Sequence, residues 1–279
     1  MVELTRTIRF CLNDPRPRSS PQNAHTQTSP ANKHNTYSAW PAMRGLGRYY
    51  QLQVRCAGEA DPITGYFLNI KEIDAATREK VLPYLAQQVA NKTQVALGHI
   101  MQEMIQRLQP PLNNTVGQVQ FDLTPYYSLS IRSDDMSHVI MRQQFEFAAA
   151  HRLHVDTLSN EENRQIFGKC NNPSGHGHNY QLEVALRVPI DETGHVMAVE
   201  ELDQLVDDIV IDKLDHKHLN KDVKQFKDLN PSVENITKVI WEMLAEEGAK
   251  ESGESGGPGV ELEEVNVWET GKTVCTYRG

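Results

Sequence analysis

His176-Gly177-His178 sets two imidazoles two residues apart. On an extended segment, residues i and i+2 point to one side, so the pair can grip one metal ion. His151 lies upstream, at the end of the alternating apolar segment Val139, Met141, Phe145, Phe147. Three neutral imidazoles leave the fourth tetrahedral position of a zinc ion open, the arrangement of a catalytic site. Taken alone, His151 reads as a satisfied core histidine sooner than as a ligand. The His-Gly-His pair favours metal, because zinc accepts imidazole nitrogen and Gly177 permits close backbone approach. Cys170 precedes the pair in the polar loop Phe167-Gly168-Lys169-Cys170-Asn171-Asn172-Pro173-Ser174. It reads either as a fourth ligand that closes the site or as a separate acid–base group.

Two further groups have the right chemistry and less specific settings. Asp215-His216 suits a carboxylate–imidazole relay, but adjacent strand residues face opposite ways, so the pair needs a loop or helix terminus. The same dipeptide also fits a solvated polar turn. Glu269 ends the row Val265, Val267, Glu269 on one strand face, where an unpartnered carboxylate is costly. His195 and His218 read as surface or helix-end residues, and His25 and His34 as solvated loop residues.

The elements that must hold these groups follow from periodicity. Tyr180, Leu182, Val184, Leu186 and Val188 alternate as a half-buried strand. Asp191-Glu192-Thr193-Gly194 is a turn. Leu202, Leu205, Val206 and Ile209 keep helical spacing. A second helix carries Ile236, Val239, Ile240, Met243 and Leu244 on one face, with Pro231 and Ser232 at its start. Val265, Val267 and Val274 belong to a closing hairpin. The order is strand, strand, helix, helix, strand, strand.

The first half runs the same way. Arg48-Tyr49-Tyr50-Gln51-Leu52-Gln53-Val54 parallels His178-Asn179-Tyr180-Gln181-Leu182-Glu183-Val184, and Asp61-Pro62-Ile63-Thr64-Gly65 parallels the later turn. Leu97, Ile100, Met101, Met104, Ile105 and Leu108 form the stripe of its second helix, and Val119, Phe121 and Leu123 begin its last hairpin. This is the signature of a duplication. The chemistry is absent from the first copy: Leu46 and Arg48 fall where His176 and His178 stand, and Leu123 where Glu269 stands. Two units are expected, residues 1–135 without metal ligands and with a long polar loop at 13–41, and residues 136–279, joined by a linker at Ser133–His138.

Hydrophobic content of 39% and charged content of 23% are those of a globular chain, and the net charge of −9 argues against nucleic acid or an anionic membrane as partner. No apolar run approaches the ~20 residues needed to cross a bilayer. Met1–Arg6 has no basic region followed by an apolar core, so no secretory signal is expected. Cys11, Cys56, Cys170 and Cys275 are too few and scattered for a disulfide framework, which suggests a reducing cytoplasm. Cys56 and Cys275 read as small core residues.

His151-Arg152-Leu153, Phe167 to Pro173, His176 to Tyr180, Leu214-Asp215-His216-Lys217 and Trp268-Glu269-Thr270 together closely resemble the 6-pyruvoyltetrahydropterin synthase / 6-carboxytetrahydropterin synthase family. The resemblance covers about residues 139–279. The Cys170-x5-His176-x-His178 spacing looks like the pyruvoyl type. The resemblance implies an α+β fold of two tandem tunnelling-fold (T-fold) units. Each would be an antiparallel four-stranded sheet with two helices on one face, assembling into β-barrel rings as a homo-oligomer. Three tandem chains would supply six units.

It further implies His151, His176 and His178 as zinc ligands and Cys170 as thiolate general base, with Lys169 and the zinc able to lower its pKa. Asp215 and His216 would shuttle protons. Glu269 would hold the 2-amino-pyrimidinone edge of a pterin through two parallel N–H donors. Glu234 would assist, although Ser232-Val233 stand where the family often carries paired threonines. The implied reaction converts 7,8-dihydroneopterin triphosphate to 6-pyruvoyltetrahydropterin with loss of triphosphate. Lys169 or Arg152, or Mg2+, would meet the triphosphate. Two other readings stand beside it: a 6-carboxytetrahydropterin synthase of a deazapurine pathway, and a non-catalytic pterin- or metal-binding regulator.

Overall fold

The computed structural model describes residues 1–13, 37–90, 96–254 and 259–279. Most of the expected 13–41 loop, with His25 and His34, lies outside them. The chain divides into two compact units, Met1–Val139 with Ile190–Val196, and Ile140–Pro189 with Met197–Gly279.

The first unit contains β1 (Val2–Leu12), β2 (Arg48–Gly58), α1 (Ile70–Ala76), α2 (Leu82–Ala90), α3 (Leu97–Leu108), β3 (Val116–Asp122) and β4 (Tyr127–Arg132). The strands lie in the order β1-β2-β3-β4, each antiparallel to the next. Alternation along β2 buries Leu52, Val54 and Cys56 completely. The α3 stripe Ile100, Met101, Met104, Ile105, Leu108 is buried where that helix packs on β3 and β4. Each such side chain contributes roughly 1.5–3 kcal/mol by leaving water. A π turn, Thr77–Val81, joins α1 to α2.

Instead of the expected linker at Ser133–His138, only Ser133 and Asp134 form a turn, and the chain re-enters as β5 (Asp135–His151). Composition marked this segment as polar, yet a two-residue turn suffices to reverse a strand, and the residues after it pair. Beyond it come α4 (Asn160–Phe167), β6 (His176–Pro189), α5 (Val199–Val206), α6 (Asp212–Leu214), β7 (Lys217–His218), α7 (Leu219–Asp222), α8 (Val233–Glu254), β8 (Glu261–Thr270) and β9 (Thr273–Tyr277). A π turn, Asp207–Ile211, again joins two helices, α5 and α6.

In the second unit the sheet order is β5-β6-β8-β9, and β7 adds to β5 in parallel through Ala149–Lys217 and Ala150–His218. β7, α4 and α7 exceed the expected four strands and two helices, because elements this short carry too few residues to show a period. Among the described residues the strand order of neither unit closes on itself. Tyr180, Leu182 and Val184 on β6 are fully buried, as are Ile236 and Ile240 on α8, which packs on β8 and β9. Cys275 is only half-buried, since β9 ends the strand order.

The internal registers of the two units agree. Leu52 pairs with Phe121 and Val54 with Val119, with a bulge between Arg55 and Cys56. Leu182 pairs with Val267 and Val184 with Val265, with a bulge between Ala185 and Leu186. Phe121 in turn pairs with Leu129, and Val267 with Cys275.

Candidate metal centre

β5 ends on His151 and β6 begins on His176, so neighbouring strand ends bring the three histidines together. One ring nitrogen from each of His151, His176 and His178 lies within 4.8 Å of the others. His151 is fully buried, and its Nδ1–H donates to the Pro231 carbonyl at 2.7 Å. That bond leaves the Nε2 lone pair of the neutral ring facing His176 Nε2, 3.1 Å away. Two imidazole nitrogens on one tetrahedral zinc stand roughly 3.3 Å apart, so the spacing fits a shared ion. His178 Nε2 is buried without a hydrogen-bond partner. Burial is the largest influence on His151 and His176 and pushes both below the usual imidazole range, toward the neutral form a metal requires.

Gly177, expected to permit the close approach, is not where space is tight: a Cβ there would lie 3.6 Å from the Ala149 carbonyl oxygen. The demanding position is Gly175, at φ +75°, where a Cβ would come within 2.9 Å of both the His151 carbonyl oxygen and His218 Nε2. Gly175→Ala is therefore expected to cost about 1–3 kcal/mol in urea denaturation, and Gly177→Ala under about 1 kcal/mol.

Cys170 sits half-buried in a 3-10 turn, Gly168–Asn171, outside the three-histidine group. Its carbonyl accepts from the Leu153 N–H at 2.9 Å. The buried Asn171 donates to the Leu153 carbonyl at 2.7 Å, fastening the turn to the segment after His151. Burial raises the Tyr180 hydroxyl pKa, and the charges of Glu269 and Cys170 add to it, so both groups act on the ring beside His178. Glu269 is 24% exposed, with Oε1 at 3.5 Å from His151 Nε2 and 3.7 Å from His178 Nε2. Val265 and Val267, the rest of its row, are fully buried.

Asp215 and His216 meet because Asp215 caps α6 and His216 takes φ +56°, a left-handed turn that lets adjacent side chains face each other. His216 Nδ1 lies 2.6 Å from Asp215 Oδ2, while Asp215 Oδ1 accepts from the Ala148 N–H at 2.7 Å. The Ala148 N–H, more than His216, holds this carboxyl below the usual range. The His216 ring is 83% exposed. Glu234, in the first turn of α8, is exposed as well.

Arg152 is engaged within the loop, donating to the Asn171 carbonyl and lying 3.2 Å from His154 Nδ1, which leaves exposed Lys169 the freer cation. His218, expected at the surface or a helix end, stands at a helix end as the N-cap of α7, half-buried and with neither ring nitrogen hydrogen-bonded. Pro231, which meets His151, and Asn171, which ties down the segment after it, carry no sequence signal for these contacts. In the first unit Leu46 is fully exposed, and Arg48 is exposed as well.

Fold and site define a class: an α+β protein whose antiparallel sheet carries a three-histidine group able to hold one metal ion. Residues 140–279 match the family model for 6-pyruvoyl tetrahydropterin synthase. The chain belongs to that family. It is 42% identical over 134 residues to the 6-pyruvoyl tetrahydrobiopterin synthase of Poecilia reticulata, covering 48% of this chain and 85% of that protein. With the human enzyme of that name it shares 38% over 138 residues, 49% of this chain and 89% of the relative. The solved Caenorhabditis elegans 6-pyruvoyl tetrahydropterin synthase is 41% identical, covers 51% of this chain and 96% of its own, and has a TM-score of 0.44. Among the described residues no helix is long and apolar enough to cross a membrane.

Proposed function

We propose that the second unit is a zinc-dependent 6-pyruvoyltetrahydropterin synthase, converting 7,8-dihydroneopterin triphosphate to 6-pyruvoyltetrahydropterin and triphosphate. The observation that carries this reading is the convergence of three imidazole nitrogens within 4.8 Å, flanked by the Glu269 carboxylate. His151, His176 and His178 hold the ion, which when bound supplies Lewis-acid polarisation of the substrate's side-chain oxygens. Cys170 as thiolate removes a carbon-bound proton, and Asp215-His216 exchanges protons with the solvent side. Glu269 binds the pterin edge through paired N–H donors and orients the ring, with Glu234 assisting. Lys169 meets the triphosphate.

The first unit is read as a degenerate tandem copy. Its matching registers, its bulge at the same place and its π turn in the same helical connection support this. Three chains assemble through sheet edges into β-barrel rings, in which the exposed His216 ring can meet a neighbouring chain. A solution mass that is not a multiple of three chains would contradict that assembly. The four free cysteines accord with a reducing, cytoplasmic setting.

The test is turnover of 7,8-dihydroneopterin triphosphate by the zinc-loaded chain, with the product identified by mass. A pyruvoyl product supports the assignment. A carboxy product moves the chain to the other branch of chemistry, and tight binding without turnover supports a regulator. Glu269→Gln is expected to lose one charge-assisted contact of about 1.5–3 kcal/mol, roughly a 10- to 100-fold fall in kcat/KM, with zinc content unchanged.

A further inference from the structure

In the first unit, a cavity of about 420 Å³ opens between the end of β1 and the start of α2. Arg44 and Arg78 line it beside Asn13, and Leu12, Trp40 and Leu82 give it an apolar wall. No carboxylate is among its lining residues within the described part of the chain.

The charge of Arg78 is poorly compensated. One of its terminal nitrogens donates to the Trp40 carbonyl, while its Nε is buried without a hydrogen-bond partner. The carboxylate that acts on it, Asp74, is already held by Arg6 through two bonds of 3.2 and 2.8 Å. Burial pushes the Arg78 guanidinium below its usual range, and Arg6 adds to this against the opposing pull of Asp74. Arg44 is pinned at the rim by its backbone N–H, which donates to Asn13 Oδ1 at 2.7 Å. No hydrogen bond or ion pair joins its guanidinium to another side chain among the described residues.

Two arginines lining one cavity, with no carboxylate among its described lining residues, call for a dianion. A phosphate monoester carries close to two negative charges at pH 7 and takes guanidinium forks bidentately, whereas a carboxylate supplies one charge. Small-ligand sites span roughly 300–1,000 Å³, a range that includes this cavity, and the Trp40 side suits a flat apolar body. We propose that the first unit binds a small phosphate monoester in this cavity, its phosphate between Arg44 and Arg78 and its flat body against Trp40. The proposal is independent of the reaction assigned to the second unit.

The test is titration calorimetry of the zinc-loaded full chain with phenyl phosphate, alongside benzoate. One site per chain is expected, weakened by added salt and at least about tenfold tighter for phenyl phosphate. Arg44→Ala, a surface change that leaves the fold intact by thermal unfolding, is expected to weaken binding by about tenfold or more, and Arg78→Gln to abolish it. His176→Ala, which removes a candidate metal ligand, is expected to bind phenyl phosphate as wild type does. No binding at millimolar phenyl phosphate, equal binding of benzoate, or an undiminished affinity in Arg44→Ala would overturn the proposal. Loss of the site in His176→Ala would assign the anion to the metal centre and overturn it too. Should Arg78→Gln fail to fold, Arg44→Ala carries the test alone.

Discussion

Cys170→Ala is expected to stop turnover while leaving the metal bound. The thiol lies outside the group of three imidazoles, so its removal takes no ligand from the ion. Its backbone carbonyl, not its sulfur, holds the turn to Leu153, and Asn171 makes a second tie, so the truncation leaves the loop in place. Loss of a positioned general base typically costs 10²–10⁴-fold in rate. Zinc content by atomic absorption and melting temperature should match wild type, while kcat falls by roughly that factor. A variant that retained kcat would reject Cys170 as the base. A variant that lost zinc would make it a ligand and the site a closed one.

His176→Ala is expected to have the opposite signature, in which the metal goes and activity follows. His176 supplies one of the three nitrogens, and its Nε2 faces that of His151 at 3.1 Å. Loss of a supporting contact around a metal already costs 10–100-fold in affinity, and loss of a ligand should exceed about 100-fold. A bound ion stabilises by RT ln(1 + [L]/Kd), about 4 kcal/mol when free zinc is a thousand times Kd. Zinc should therefore raise the melting temperature of the wild-type chain and leave that of His176→Ala nearly unchanged. An equal shift in both would separate the three-histidine group from zinc binding. Together the two variants distinguish the base from the ligand, which kinetics on either alone would not.

Several positions around the centre were legible from the chain alone. A strand repeats every two residues, so His176, His178 and Tyr180 had to share a face once β6 was recognised from its alternation. The helical stripes on α3 and α8 were legible for the same reason, because a period reports the local backbone. So were the equivalence of Tyr50-Gln51-Leu52 with Tyr180-Gln181-Leu182 and the absence of histidines from the first copy.

What the sequence determined by itself was thus the local frame: strand faces, helix stripes and a cluster of chemically apt side chains in order along the chain. Tertiary structure alone decided what each group meets. The bond that orients His151 comes from Pro231, far along the chain and just before α8. The tight glycine is Gly175 rather than Gly177, because the His151 backbone and the His218 ring pass beside it. Asp215 and His216 face each other only because the chain turns left-handed at His216 and Ala148 holds the carboxylate. His218 is half-buried because its two-residue strand pairs with Ala150, a contact too short to leave a period. Each of these joins segments distant in sequence. Periodicity fixes where a side chain points from its own backbone, whereas its neighbour is set by packing, which is a property of the whole folded unit.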